Sequence, residues 1–572
     1  MCVVSEYLWR PDFVTMKGKC NDSIVSMELA YLSNATFCAR YNLSSTADTA
    51  FTFGGSAGPQ HGNHRTVRDV RALGTAVVVD ISAYSQYGTP DGNHKYAHGK
   101  AYPPTNLDRH WVIRTSAGVS PVIEKMNYNW HVPVKGDGGI VEATFCVIEM
   151  QEPVPAQLTP CPVYAEGVLK TTENIDGWFA ELSLPAGVTN RAGLYNSWFQ
   201  FWYNTEHDAG NWTHPMITPS MNTYGRGMWL WDSAFHVMSL ASGGIGPRSL
   251  KLAGDQLRVL INAGSNIGHI PRVVGSVGLE ETTQPPGILT WASLVYFNRT
   301  QDKAFLAEAY AAFVVNNRWY YTEPGYATDT GLSTWCCEDS GWDTSPRWDN
   351  GTVEAVDLNG WLHIDQLLLA RMATALGKPQ EAYAWKKKAF STATAFSARL
   401  WDNSSGVFWD RLPNRTTAQN AFVKVVTPAT FWSLFAGIAT PAQAKAQVAA
   451  SLVPGKLATA YPLPCVGVKE SRFEEKNYWR GPTWINVNWL SALGFDCYGL
   501  NTEAKHIREM SAKVVGMSPY PREYYDAITG GGLGAQNYMW TGAIDIIIEN
   551  ELAGRTIVAD VLHGVLDCPG VS

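Results

Sequence analysis

Lys303–Trp319 reads KAFLAEAYAAFVVNNRW. Leu306, Tyr310, Phe313 and Val314 recur three or four residues apart, so they share one face of a 3.6-residue helix. The same spacing returns in Trp361–Leu376, Gln380–Leu400, Pro441–Leu452 and Thr502–Val515. From about residue 185 on, roughly a dozen helices of ordinary length are expected. The connections between them alternate: a short one, then a long one rich in Gly, Pro, Trp and Asp. That rhythm predicts a toroid of helical hairpins with the long loops on one rim, where a rigid scaffold commonly carries function. An open solenoid is disfavoured, because no fixed-length repeat is present.

Upstream the texture differs. Thr75–Asp80 and Ile140–Ile148 are β-branched runs set off by Gly, Pro, Asn and Asp turns. Residues 1–165 are read as a β-sandwich domain. Cys20 and Cys38 are candidates to bridge neighbouring strands, although sequence cannot assign the pairing. The Pro-rich 151–163 reads as a linker, and no helical pattern is firm before about 185. The chain is therefore divided into a domain at 1–165, a linker at 166–189 and a helical domain at 190–572.

Composition narrows the function. Hydrophobic residues make up 45% of the 572 and charged ones 17%, enough apolar surface for a large core. The net charge of -7 and the lack of a basic run argue against nucleic acid as a partner. No apolar run reaches the length of a membrane span. The 23 Trp and 25 Tyr suit stacking on sugar rings, and they equally suit filling a big core. The 10 Cys show neither a CxxC pair nor a zinc-type Cys/His spacing, so neither metal nor cofactor is expected. Sequons at Asn21, Asn34, Asn42, Asn211, Asn298, Asn350, Asn403 and Asn414, with the even Cys count, favour a glycoprotein, secreted or in the secretory-pathway lumen. The start MCVVSEYLWRP has no signal-peptide core, so a leader has been removed or the sequence begins inside a longer chain.

Chemistry concentrates in six short polar stretches, most of them rich in aromatics. Ser340–Trp348 reads SGWDTSPRW. Asp343 beside Trp342 is a candidate general acid, because apolar walls raise a carboxyl's pKa; otherwise it is a turn residue. Gly225–His236, GRGMWLWDSAFH, offers Trp229 and Trp231 as stacking faces and Asp232 as a grip on two sugar hydroxyls; a helix start with core indoles is the plainer reading. His236, one turn on, is read as structural. In Thr283–Ala292, TQPPGILTWA, two prolines pin Gln284 extended. Asn359, in Asp357–Asn359, is either a helix cap or a ligand to substrate. Tyr478–Leu490, YWRGPTWINVNWL, places Trp479, Arg480 and Trp484 as pocket walls, with at least one Trp expected in the core. Pro521–Trp540, PREYYDAITGGGLGAQNYMW, sets Glu523 beside phenols, a candidate base that orients water. Its glycines do not match a phosphate loop. Two carboxyls on separate loops are what glycoside hydrolysis uses, and no Ser-His-Asp arrangement or nucleotide fingerprint competes.

In their order, WLWDSAFH, TQPP, EDSGWDTSPRW, DLN, YWRGPTW and EYYDAITGGGLGA resemble glycoside hydrolase family 63, over roughly residues 190 to 550. That resemblance implies a mainly α fold: an (α/α)6 toroid as catalytic domain behind an N-terminal β-sandwich. It also implies an inverting α-glycosidase acting on an α-linked glucoside or related hexoside. The acid of the family's SGWD motif falls on Asp343 and the base of its EYY motif on Glu523. Its sugar-binding positions fall on Trp231, Asp232, Gln284, Trp342, Asn359, Trp479 and Trp484. Asp339 stands where the family usually has Glu, with Glu338 one position earlier. The expected partner is a carbohydrate, and the alternative is a non-catalytic carbohydrate-binding secreted glycoprotein on the same fold. A helical interaction scaffold is the third reading, and it predicts no deep aromatic pocket.

Overall fold

The computed structural model describes residues 164–570 apart from 189, 207–211, 225–226, 266–267, 276–278, 281 and 414–420. Before 164 it describes the strands named below and the short stretches 46–48, 121, 135–137 and 139–140. The described residues fall into two compact units that part between Ala180 and Glu181.

The first unit is built on antiparallel strands: β1 (Cys2–Trp9), β2 (Phe13–Cys20), β3 (Ser23–Ser33), β4 (Thr36–Ser45), β5 (Thr49–Ser56), β6 (Arg65–Leu73), β7 (Ala76–Ala83), β8 (Leu107–Thr115), β9 (Val122–Glu124), β10 (Asn127–Val134) and β11 (Val141–Met150). One sheet runs β1-β2-β3-β4-β11-β8-β7-β6 and the other β5-β10-β9. Alternate residues of β11 (Val141, Ala143, Phe145, Val147) meet alternate residues of β10 (Trp130, Val132, Val134) in a shared core. A period of two with the two sheets' inner faces sharing a core is the pattern of a sandwich, although Thr144 and Cys146 on the reverse face of β11 are buried as well. Cys38 pairs with Cys146, not with Cys20: the two stand directly opposite each other on β4 and β11, with Cα atoms 4.1 Å apart. The helix Tyr164–Phe179 occupies much of the stretch expected to be a linker. Ile175 and Trp178, three residues apart, are its buried face, and the polar run between Lys170 and Asn174 hides that period from the sequence.

In the second unit six helices pack each on the next and the last on the first: Leu230–Gly243, Ile288–Thr300, Val356–Ala375, Trp432–Phe435, Ile485–Cys497 and Met539–Leu552. They form the inner ring of an (α/α)6 toroid. Inner helices are apolar nearly all round; every residue of Leu230–Gly243 is buried. The outer ring is Arg191–Tyr203, ahead of the first inner helix, and, alternating with the inner helices, Pro247–Ser265, Lys303–Trp319, Pro379–Leu400, Pro441–Ser451 and Asn501–Gly516. These bury a single stripe: Pro379–Leu400 hides Ala382, Trp385, Ala389, Thr392, Phe396 and Leu400. The first five inner helices each run into the next outer helix across a few residues, as from Gly243 to Pro247 or Thr300 to Lys303, while Arg191–Tyr203 packs on the last inner helix, Met539–Leu552. Each return from outer to inner is long. All six long loops therefore end at the N-terminal ends of inner helices, on one rim. Among the described residues no helix is long and apolar enough to cross a membrane.

Candidate active site

Three of the long loops bring carboxyls to this rim. Glu523 lies on the short hairpin of Arg522–Tyr525 with Gly532–Gln536, at a register shift between Arg522 and Tyr524. A bulge re-aims a side chain, and here it turns Glu523 inward, leaving it 3% exposed. One carboxylate oxygen accepts from the Tyr224 hydroxyl at 3.0 Å and the other from the Ala535 N–H at 2.8 Å. Gly534 makes room for it: φ is +65°, and a Cβ there would stand 2.5 Å from Glu523 Oε2. Burial raises the pKa of Glu523, and the two hydrogen bonds pull it back down.

Asp343 sits between two short 3-10 turns, Cys337–Ser340 and Pro346–Trp348. Gly341, at φ +74°, lets the chain turn under Trp231; a Cβ would lie 2.5 Å from its ring. The Tyr478 hydroxyl bonds the Asp343 carboxyl. Burial pushes Asp343 up to about 7, against the pull of the Arg272 cation and with a push from Glu338. Arg272 is held by Glu280 and by Glu338 at 2.7 Å, while Asp339 accepts from the Tyr326 hydroxyl. Both acids of the EDS run are therefore bound up in protein contacts.

Asp232 is the third carboxyl, buried in the first turn of Leu230–Gly243 and bonded by the Tyr538 hydroxyl at 3.3 Å. Desolvation holds its pKa well above the usual range. The Tyr224 hydroxyl feels Glu523, Asp232 and Asp343 together, and so does the Tyr478 hydroxyl. Tyr224, bonded to Glu523, and Tyr538, bonded to Asp232, meet edge-on with ring centroids 5.9 Å apart. The loops thus gather the three acids around one polar centre.

The other expected positions divide. The Gln284 side-chain carbonyl accepts from the Trp231 N–H at 3.1 Å, so this amide anchors the start of an inner helix. Trp231 is buried edge-on to Trp540, and half-buried Trp229 meets Tyr224 edge-on. Asn359 takes the structural of its two readings. Its amide nitrogen donates to the Ser333 and Ala355 carbonyls at 2.9 Å, and its oxygen accepts from the Ser333 N–H at 2.8 Å. That uses both amide hydrogens and one lone pair of the fully buried side chain, which ties a loop to a helix. Arg480 likewise works as a latch: it bonds Glu474 at 2.7 Å and the Thr344 carbonyl at 3.0 Å. Trp479 and Trp484 lie face to face, centroids 3.7 Å apart and 3° from parallel. Trp342 covers the other face of Trp479, and Tyr524 that of Trp484. Neither indole offers a free face to a sugar. His236 is structural: fully buried, with burial lowering its pKa to about 3 and keeping it neutral.

Sequence reasoning passed over Tyr224, Tyr478, Tyr538 and Arg272. Tyr478 carried a signal, standing inside a quoted motif; its φ of +40° is unusual for a residue with a bulky side chain. Among the described residues no group of three or more His, Cys, Asp or Glu is placed to hold a metal ion.

Comparison with known proteins places this geometry. The family described as the mannosylglycerate hydrolase MGH1-like glycoside hydrolase domain matches residues 225–541, more than half of the chain. The chain belongs to that family, within glycoside hydrolase family 63. Among curated relatives of this MGH1-like glycoside hydrolase, a mannosylglycerate hydrolase of Thermus thermophilus is 38% identical over 149 residues, 25% of this chain and 34% of its own. Mannosylglycerate hydrolase MGH1 of Selaginella moellendorffii is 33% identical over 180 residues, 32% and 35% of the two chains. A periplasmic trehalase of Salmonella newport is 28% identical over 236 residues, 36% and 38%. The matched part thus spans well under half of those relatives' length. Among solved structures, a family 63 mannosylglycerate hydrolase of Thermus thermophilus in complex with glucose superposes with a TM-score of 0.53. It is 23% identical and the match covers 61% of this chain and 98% of that one, a likeness of fold. A bacterial glucoamylase complexed with acarbose shares the fold at 9% identity and a TM-score of 0.59, over 98% of this chain and 87% of that one.

Proposed function

We propose that this glycoside hydrolase cleaves an α-linked glucoside or related hexoside with inversion, Asp343 as general acid and Glu523 as general base. One observation carries the reading: the two carboxyls act on the same phenols, and burial raises both, Asp343 strongly, up to about 7. Asp343 is poised near 7, so at neutral pH much of it keeps the proton that a leaving oxygen needs. Glu523 accepts two hydrogen bonds that favour its ionised form. In the reaction, Asp343 gives its proton to the glycosidic oxygen as the bond to the anomeric carbon breaks. Glu523 takes a proton from a water that attacks that carbon from the opposite face. Asp232, at a helix N-terminus, receives sugar hydroxyls. The relatives' names, mannosylglycerate hydrolase and trehalase, support an α-hexoside with a small polar aglycone as substrate. We also infer a secretory route, supported by the disulfides Cys38–Cys146 and Cys497–Cys568 and by exposed sequon residues Asn298, Asn350 and Asn403; a glycosidase-induced mass shift of the native protein checks it.

The test is anomer-resolved NMR of the first hexose released from mannosylglycerate and nitrophenyl α-hexosides. A β-configured product is expected. Asp343→Asn and Glu523→Gln should each lose about 10²–10⁴-fold or more in turnover with the fold intact. Wild-type turnover in either, or an α-configured first product, overturns the assignment. The non-catalytic alternative predicts sugar binding with no product at all.

A further inference from the structure

Four rings stack in series beneath the candidate acid and base. Trp342 meets Trp479 with centroids 5.2 Å apart, Trp479 meets Trp484 at 3.7 Å, and Trp484 meets Tyr524 at 4.7 Å, all within 29° of parallel. The ends of this stack are the chain neighbours of the two carboxyls: Trp342 precedes Asp343, and Tyr524 follows Glu523. The two loops are 180 residues apart, and the middle rings come from a third loop between them. The Trp342 end is closed by the Arg347 guanidinium, 5.4 Å from the ring centroid. Arg347 is itself clamped by both oxygens of Asp357 and of Asp410, at 2.6–2.9 Å. The Tyr524 end is set by the bulged hairpin. Trp484 also donates its indole N–H to the Tyr478 carbonyl at 3.2 Å, bracing the residue whose hydroxyl holds Asp343.

We propose that Trp479 and Trp484 are positioning residues: the stack Trp342–Trp479–Trp484–Tyr524 is a spacer that fixes the separation of Asp343 from Glu523. This rests on the acid–base assignment above. Inversion requires a gap of about 6.5–9.5 Å that admits one water, and a misplacement of about 1 Å can cost 10²-fold in rate. Stacked rings suit the task, because they are incompressible along the stacking axis and packed to interior density. Removing a middle ring lets the two carboxyl loops approach or slide, while the groups that touch substrate remain.

The experiment measures kcat and KM of the full chain on trehalose and mannosylglycerate, whose leaving oxygens need a proton, by release of the reducing hexose. It compares Trp484→Leu, Trp484→Phe, Tyr524→Leu and Tyr524→Phe, with Asp343→Asn and Glu523→Gln run beside them. Half-buried Tyr524 can be shortened with less risk to folding than Trp484, so the test survives an insoluble Trp484→Leu. The expected result is a fall in kcat of about 10²-fold in both leucine variants. KM should stay within about threefold, and both phenylalanine variants should regain most of the turnover. Leucine variants that keep kcat within twofold while Asp343→Asn and Glu523→Gln are inactive overturn the spacer alone. So does a loss that phenylalanine fails to restore, or one that falls mainly on KM. Active Asp343→Asn or Glu523→Gln, or a wild type inert to both substrates, removes the acid–base reading and the spacer with it.

Discussion

Replacing Asp343 with asparagine should make the protein more stable in alkaline solution while removing its activity. In the fold the carboxyl is raised from 3.8 to about 7, chiefly by burial. A carboxyl whose folded pKa lies above its unfolded one binds more protons when folded, so stability falls as pH climbs between the two values. Below about 4 both states hold the proton and the wild type carries no penalty. Above about 7 the full penalty is present. Three units at 1.36 kcal/mol each amount to about 4 kcal/mol as an upper figure. Asparagine keeps the shape and cannot ionise, so it escapes that term. It also weakens the bond from Tyr478, worth about 1 kcal/mol. The expected pattern is a melting-temperature difference, variant minus wild type, near zero or slightly negative at pH 4.5. The gap opens between pH 5 and 7 and levels at a few degrees above pH 8. Other titrating groups cancel, because they are common to both proteins. Parallel melting curves across the whole range would refute the claim that the fold holds this acid protonated.

Three other substitutions test neighbouring parts of the site. Tyr224→Phe removes a hydrogen bond that favours ionised Glu523; the acidic limb of the kcat/KM profile should move to higher pH by about one unit or more, since such a bond to a charge is worth about 1.5–3 kcal/mol. Gly534→Ala forces a Cβ to within 2.5 Å of Glu523 Oε2 at a positive φ; turnover should drop at least tenfold with the melting temperature little changed, because the hairpin lies at the rim. Arg347→Met strands Asp357 and Asp410 in the interior; chemical denaturation should show a loss of about 3–5 kcal/mol, and Arg347→Lys should not recover it, lacking the two-sided fork.

The helical half of this fold was legible because period and length agree there. Lys303–Trp319 has the bounds its apolar spacing gives, and Pro379, Pro441 and Asn501 start their helices within one residue of the expected points. Val356–Ala375 begins earlier than Trp361 because an inner helix is buried on every side and has no polar face to mark its start. The pairing of Cys38 was not readable at all. It depends on β4 lying beside β11, a contact across 108 residues that no local pattern encodes.

The site divides along the same line. Asp343, Glu523 and Asp232 were readable because a carboxyl among aromatics is chemically conspicuous, and the loops gather all three. For Asn359, Trp479 and Trp484 a substrate contact and a structural role both stood open in the sequence, and only the fold chooses. An amide can spend its bonds on backbone, and an indole can spend both faces on other rings; the choice is made by neighbours remote in the chain, such as Tyr524 for Trp484 against Trp342 for Trp479. The same reason hides Tyr224. Its hydroxyl matters only because it ends 3.0 Å from Glu523, and the chain separates the two by 299 residues. Residues that react can be read from their own chemistry, whereas residues that hold them in register cannot. A stack that joins the chain neighbours of both carboxyls is therefore the kind of device that only the folded geometry can reveal.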